Sequence, residues 1–242
     1  MKAAFASIGY DFVWRCFDAV DLGAPVHRRR IYMAAYRSHS QSGNEAAAQQ
    51  AAHAAVDRMA AAAAQHPLDD FLLNEAAVPS WQAEPARRRA KKTMHPPVHK
   101  KLWQEAPHAQ DKAKYRKQLQ GNCAFESMPA RQRDLLLLRL CDFTYPGPGA
   151  GAIPLQGSAG FTRYSLILPT QLPASVVWLL SRSRLQLGVE AVALQGADLA
   201  DLPACRPGGP FTDRQLWELA GNAFHVWQFV AWFLTSLAVI PL

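Results

Sequence analysis

The sequence predicts a mixed α/β chain, and three observations carry that expectation. Strand-like segments flank a punctuated turn near the start, an alanine-rich run with strong helix propensity follows, and the last stretch is apolar over a helix length. At 242 residues there is room for one ordinary domain or two small ones. Half the residues are hydrophobic, which is enough for a packed core.

Taken in order, Tyr10–Phe17 carries aromatic and β-branched residues at strand spacing. Gly23 and Pro25 punctuate a turn, and Arg30-Ile-Tyr-Met33 opens a second strand that runs to Arg37. Residues 38–44 are a polar break. Residues 45–66 form a helix by intrinsic propensity, but Val56 and Met59 are its few large apolar anchors, so a solvated spacer is expected. Pro129 opens a short helix within residues 125–143, and the Gly- and Pro-rich residues 145–160 are expected to be irregular. Residues 162–168 and 175–181 read as strands, and 190–194 as helix with Gly188 just ahead of it. Residues 225–240 are apolar almost all round, which predicts a buried helix. The stretch from Ala223 to Ile240 approaches the length of a membrane span. His225 and Gln228 interrupt it and no Lys or Arg cluster flanks it, so a core helix is preferred to an anchor.

The formal net charge is +7 with a pI near 9.4, which favours a polyanionic partner. Much of that charge sits in one block: Arg87, Arg88, Arg89, Lys91, Lys92, Lys100, Lys101, Lys112, Lys114, Arg116 and Lys117, opposed within that span only by Glu105 and Asp111. Trp103 and Tyr115 are interleaved, and Pro96-Pro97 prevents one continuous helix. Such a block binds phosphates largely without reading sequence, with affinity that falls as salt rises. A soluble linker or a nuclear-targeting signal is the competing reading. Cys16, Cys123, Cys141 and Cys205 fit neither a disulfide framework nor a zinc site, so free thiols of a reducing compartment are expected and no metal. The first residues lack the sustained apolar stretch of a signal peptide.

Arg28-Arg29-Arg30 is the most informative run. Planar guanidiniums on a hairpin suit recognition of a phosphate or a base edge, where two parallel hydrogen bonds are wanted, although an Arg triplet alone also reads as a solvated face. Two later blocks add to it. One is Arg184 six residues before Glu190, continuing through Leu194-Gln195-Gly196; the other is Gln215-Leu-Trp-Glu-Leu-Ala-Gly221-Asn222-Ala223. With the Gly23-Ala-Pro-Val-His-Arg28-Arg-Arg30 run, these blocks resemble, in order and internal spacing, the late motifs of the cytosine-C5 DNA methyltransferase family.

The resemblance implies a partial Rossmann-like methyltransferase sheet, its late strands and final helix interrupted by an irregular, partly helical, basic target-recognition region. The divisions that follow are residues 1–37 for the Arg hairpin, 38–174 for target recognition and 175–242 for the return to the catalytic domain. It implies a catalytic role for Arg28 and Arg30, the latter gripping a cytosine flipped out of DNA. It places Gly221, Asn222 and Ala223 against S-adenosylmethionine, and makes Arg184 and Glu190 a structural ion pair. Val26 stands where the family has Gln, which removes an amide that would hold loop or base. By composition alone, Gly221-Asn222-Ala223 is an ordinary helix start with Asn222 as its N-cap. Arg87, Arg88, Arg89, Lys91 and Lys92 are the candidate nucleic-acid contacts.

The family's Gly-rich loop, Pro-Cys nucleophile and Glu-Asn-Val triplet have no counterpart in these 242 residues. The expectation is therefore the back half of such an enzyme, inactive alone and completed by an N-terminal half. The alternative is a non-catalytic basic remnant that binds nucleic acid. DNA is the expected partner with RNA left open, a membrane partner is not expected, and the expected setting is intracellular, nuclear or otherwise DNA-associated.

Overall fold

The computed structural model describes residue 4 and residues 7–37, 45–78, 109–141, 151–155, 167–168, 170–173 and 175–239. The candidate contacts Arg87, Arg88, Arg89, Lys91 and Lys92 lie outside the described residues, as do most of residues 142–166.

Strand β1 (Tyr10–Phe17) pairs antiparallel with β2 (Arg30–Arg37), Trp14 standing opposite Met33 and Phe17 opposite Arg30. Between them the chain makes a 3-10 turn over Ala19–Leu22, opened by the Asp18 N–H donating to Asp21 Oδ2 at 2.8 Å and the Asp21 N–H to the Asp18 carbonyl at 3.2 Å. Gly23 then ends that turn at φ +86, and a Cβ there would lie 1.9 Å from the Ala64 carbonyl oxygen. Only glycine meets both demands.

Helix α1 (Glu45–Ala62) is packed against the hairpin, which corrects the expectation of a solvated spacer. Ala52 and Val56 are buried with Val13, Phe17 and Tyr32 of the hairpin and with Trp232. The small alanine side chains that seemed poor anchors let the helix backbone approach the sheet closely. Polar side chains complete the join: Gln49 accepts from the Trp14 N–H at 3.0 Å, and the Arg15 Nη1 donates to the His53 carbonyl at 2.7 Å.

Helices α2 (Lys112–Gln118), α3 (Cys123–Ser127) and α4 (Ala130–Leu140) form a second layer, α4 opening at Pro129 as expected. Leu136 and Leu137 of α4 are fully buried against Ile153 and Trp178. Those two residues belong to a three-stranded antiparallel sheet of β3 (Ala152–Pro154), β4 (Val177–Leu179) and β5 (Arg184–Leu185). The span 145–160 is thus not irregular throughout, because Ala152 and Ile153 find backbone partners on β4 and bury both side chains. Leu168 makes one parallel bridge to Val26, and residues 162–166 of the expected strand lie outside the described ones.

Helix α5 (Gly188–Ala193) begins at Gly188 itself and packs on α6 (Asp213–Asn222), whose Thr212 cap and Gln215 satisfy each other's backbone amides. Helix α7 (Val226–Val239) closes the described chain. It is not buried all round. Ala231, Trp232, Thr235 and Ser236 face the core, while Phe229, Val230, Phe233, Leu234 and Leu237 are exposed. Trp227 of the same helix is partly buried and Trp232 is buried. Two of the inward polar side chains find backbone acceptors: Gln228 Nε2 donates to the Phe17 carbonyl at 2.8 Å, and the Ser236 hydroxyl to the Trp232 carbonyl at 2.8 Å, while the buried Thr235 hydroxyl and Trp232 indole N–H have no hydrogen-bond partner among the described residues. No described helix is long and apolar enough to cross a membrane. The described fold is a mixed α/β arrangement of small sheets and several helices.

Candidate functional site

The turn after β1 delivers Arg28 into the interior. Its backbone N–H donates to Asp18 Oδ1 at 2.5 Å, and Asp18 Oδ2 lies 2.9 Å from the His27 Nδ1. The His27 N–H donates to the Leu168 carbonyl at 2.7 Å, so the stretch holding Arg28 is tied down on both sides. The side chain is fully buried. Nη1 donates to the Gln171 carbonyl at 3.1 Å, while Nη2 donates to the Gly221 carbonyl at 2.9 Å and also to that of Ala223. Burial, and then repulsion from Arg30, pushes its pKa down to about 10, which still leaves it charged at neutral pH.

Two runs from opposite ends of the chain therefore meet through Arg28. Those carbonyls belong to the last turn of α6 and its exit, where helix oxygens have no intrahelical partner and favour a cation. Gly221 sits there because a Cβ would lie 2.3 Å from the Pro173 nitrogen. Asn222 is the last residue of α6, not the N-cap of the next helix, so the composition-based reading of this run is corrected. Its side chain is exposed, Gly221 is buried and Ala223 is half-buried.

Arg30 opens β2, half-buried, and its Nη1 donates to the Arg29 carbonyl at 3.0 Å. Arg29 is exposed, with its Nε 3.3 Å from the Cys16 sulfur. Behind Arg30, Tyr32 is buried, its phenol 3.4 Å from Gln228 Oε1, and burial pushes that phenol up to about 12. The structure shows no contact between Arg30 and Asn222; Arg28 makes the connection.

Arg184 and Glu190 form a two-pronged ion pair, Nη2 to Oε1 at 2.7 Å and Nη1 to Oε2 at 3.0 Å. The Glu190 carboxylate also accepts from the Leu187 and Leu73 amides at 2.8 and 3.0 Å. Burial works to lower the Arg184 pKa, but the hydrogen bond and charge of Glu190, aided by Glu75, raise it. The pair thus staples β5, the start of α5 and the 68–78 region to one another.

Several residues of the site escaped the sequence reading. Gln171 and Gln195 join through their amides at 2.9 Å beside Arg28. His225 is fully buried, and burial, followed by the Arg28 charge, pushes its pKa down to about 4. The sequence reading named Gln195 within the Leu194-Gln195-Gly196 run and His225 as a break in the apolar stretch, but placed neither beside Arg28. Among the described residues no group of three or more His, Cys, Asp or Glu has the arrangement of a metal site. The four thiols are free; burial pushes Cys141 up to about 11 and raises Cys205, so neither is a ready nucleophile at neutral pH.

A mixed α/β protein whose Arg-bearing hairpin is clamped onto a late Gly-Asn-Ala turn is a narrow class. A family model described as C-5 cytosine-specific DNA methylase matches residues 1–137, more than half of the chain. The chain belongs to that family. No curated protein matches it. The matched span contains the whole Arg hairpin, while the Arg184 and Gly221 blocks lie beyond it.

Proposed function

We propose that the chain is the C-terminal portion of an S-adenosylmethionine-dependent DNA (cytosine-5)-methyltransferase and does not turn over by itself. The single observation that carries this reading is the Arg28 clamp on the Gly221 and Ala223 carbonyls, since it gathers two of the family's motifs into one place. Residues 1–37 and 175–242 then form part of the Rossmann-like catalytic sheet, with 38–174 as the target-recognition region of a DNA-associated, intracellular protein.

In this reading Arg30 holds the flipped cytosine: the resemblance assigns it that role, and its half-buried side chain, unlike that of Arg28, is not locked onto interior carbonyls. Arg28 is a positioning residue, held by three carbonyls and shielded from any substrate. S-adenosylmethionine supplies the methyl group. Of the three residues expected to hold it, Asn222 fits best, for its carboxamide is exposed. Gly221 and Ala223 act through their carbonyls on Arg28, and the close approach that Gly221 permits is that of Pro173. Arg184 and Glu190 brace the fold. The nucleophile and the Gly-rich cofactor loop come from outside these 242 residues, on an N-terminal half.

Methyl transfer to cytosine-containing DNA tests this. The chain alone should be silent, activity should appear when a polypeptide carrying the Gly-rich loop and Pro-Cys pair is added, and Arg30→Ala should remove it. Robust transfer by the chain alone sinks the assignment. The concentration of cations between Arg87 and Lys117 favours a second reading, a non-catalytic nucleic-acid binder. It predicts salt-sensitive binding that survives Arg30→Ala and weakens when Arg87, Arg88 and Arg89 are neutralised.

A further inference from the structure

Asp18 stands at the N-cap of the 3-10 turn that follows β1, yet its carboxylate does not cap that turn. It reaches across to the far end of the loop instead. Oδ1 accepts from the Arg28 backbone N–H at 2.5 Å, and Oδ2 lies 2.9 Å from the His27 Nδ1. One side chain thus closes a stretch of 10 positions, next to the Phe17–Arg30 pair that ends the ladder. The carboxylate is itself steadied, for the Asp18 N–H donates to Asp21 Oδ2 at 2.8 Å and the side chain is only 21 % exposed. A charged acceptor in such a partly shielded place makes a stronger bond than a neutral one.

Arg28 is consequently gripped at both ends, its backbone by Asp18 and its guanidinium by the Gln171, Gly221 and Ala223 carbonyls. Arg30, two residues on, bonds only locally, from Nη1 to the Arg29 carbonyl at 3.0 Å. Its direction therefore follows from its backbone, which leaves the Arg28 anchor and enters β2. We propose that Asp18 is a positioning residue for Arg30: by fixing the Arg28 backbone, its carboxylate sets where the Arg30 guanidinium emerges. The purpose of that placement rests on the reading in which Arg30 grips a flipped cytosine; the geometry does not. A carboxamide at position 18 keeps the oxygen that the Arg28 N–H needs and a methyl group does not, so Asp18→Asn and Asp18→Ala separate the two cases.

NMR on the full chain reads the placement, and methyl transfer reads its purpose. In Asp18→Ala the Arg28 amide should exchange about tenfold faster or more, and the Arg30 Nε–H signal should move. The Tyr32 and Ala34 amides, which face β1 across the ladder, should stay protected and report an intact hairpin. Asp18→Asn should keep the Arg28 amide protected and the Arg30 signal in its natural place. With a polypeptide carrying the Gly-rich loop and Pro-Cys pair added, Asp18→Ala should lower kcat about tenfold or more at unchanged KM for S-adenosylmethionine, and Asp18→Asn should recover most of it. Four results overturn the proposal: an Arg28 amide still protected in Asp18→Ala, an Arg30 signal that does not move, an Asp18→Asn chain that behaves as Asp18→Ala, or an Asp18→Ala complex with natural kcat. Should Asp18→Ala lose the Tyr32 and Ala34 protection, Asp18→Asn decides: natural Arg28 and Arg30 signals support the role, and displaced ones overturn it. A silent complex of the natural chain sinks the flipped-base reading instead, and the two NMR readouts still decide the role of Asp18.

Discussion

Arg28 and Gly221, 193 positions apart, are joined by a 2.9 Å hydrogen bond in the interior of the molecule. The bond is one of three by which a single guanidinium holds the exit of α6 and the Gln171 backbone to the hairpin loop. A planar fork suits this task because it reaches several carbonyls from one anchored side chain, whereas an ammonium on a flexible stem does not. Arg28→Ala would leave those carbonyls buried and unpaired. We expect a loss of about 3 kcal/mol or more, which for a chain of this size lowers Tm by roughly 6–12 °C. Arg28→Lys should recover only part of that loss. Arg30→Ala, at a half-buried site with one local hydrogen bond, should stay within about 1 kcal/mol. Thermal unfolding of the three variants checks this, and equal losses for Arg28→Ala and Arg30→Ala would contradict the clamp.

The neighbouring glycine gives a steric test of the same junction. At Gly221 a methyl group would lie 2.3 Å from the Pro173 nitrogen and 2.6 Å from the Leu172 carbonyl carbon, both backbone atoms that cannot swing aside. Gly221→Ala should therefore cost about 1–3 kcal/mol despite alanine's better helix propensity. Gly208, with φ +75 and open space around the same position, should cost less on conversion to Ala, since only backbone strain opposes it. Urea midpoints of the two variants decide between them; the reverse order would show that Pro173 moves freely.

The Arg184–Glu190 pair predicts an asymmetry. Removing Glu190 takes the two-pronged counter-charge from the buried guanidinium, leaving it Glu75 and the Leu185 carbonyl, and strips the Leu187 and Leu73 amides of their acceptor. Glu190→Ala should cost about 3–5 kcal/mol, whereas replacing both partners together with apolar residues of similar volume should cost less than that single change. A double-mutant cycle read by chemical denaturation measures it. Additive losses from the two single changes would mean that the pair is not a unit.

What was legible in the sequence is what local chemistry dictates. The hairpin, its turn at Gly23 and Pro25, and the Pro129-opened helix followed from propensity and punctuation. So did the pairing of Arg184 with Glu190, though through the resemblance and not from spacing alone. The burial of α1 was not legible, because alanine carries almost no hydrophobic signal and its advantage is the close approach it permits. Nor was the sidedness of α7, where period-based reasoning saw apolar residues all round. Gln228 and Ser236 turn inward to meet backbone groups, Thr235 turns inward without a hydrogen-bond partner among the described residues, and the phenylalanines turn out. The partners of Arg28 were hidden for a different reason: they are backbone carbonyls, and no side-chain pattern announces them.

His225 supplies a pH test. Its imidazole is fully buried next to the Arg28 charge, and burial first, then that charge, holds its pKa at about 4 against an ordinary 6.5. Above about pH 6.5 the ring is neutral in both folded and unfolded chains, so it adds no slope. Between about 6.5 and 4 the unfolded chain binds a proton that the folded one refuses, so stability falls as the pH drops and levels off below about 4. The full loss from this one group is on the order of 3 kcal/mol. Denaturant midpoints measured from pH 7.5 down to pH 4 should show that fall in the natural chain, and His225→Gln should reduce it. An unchanged slope in His225→Gln would assign the acid sensitivity to other groups and show that His225 is protonated inside the fold.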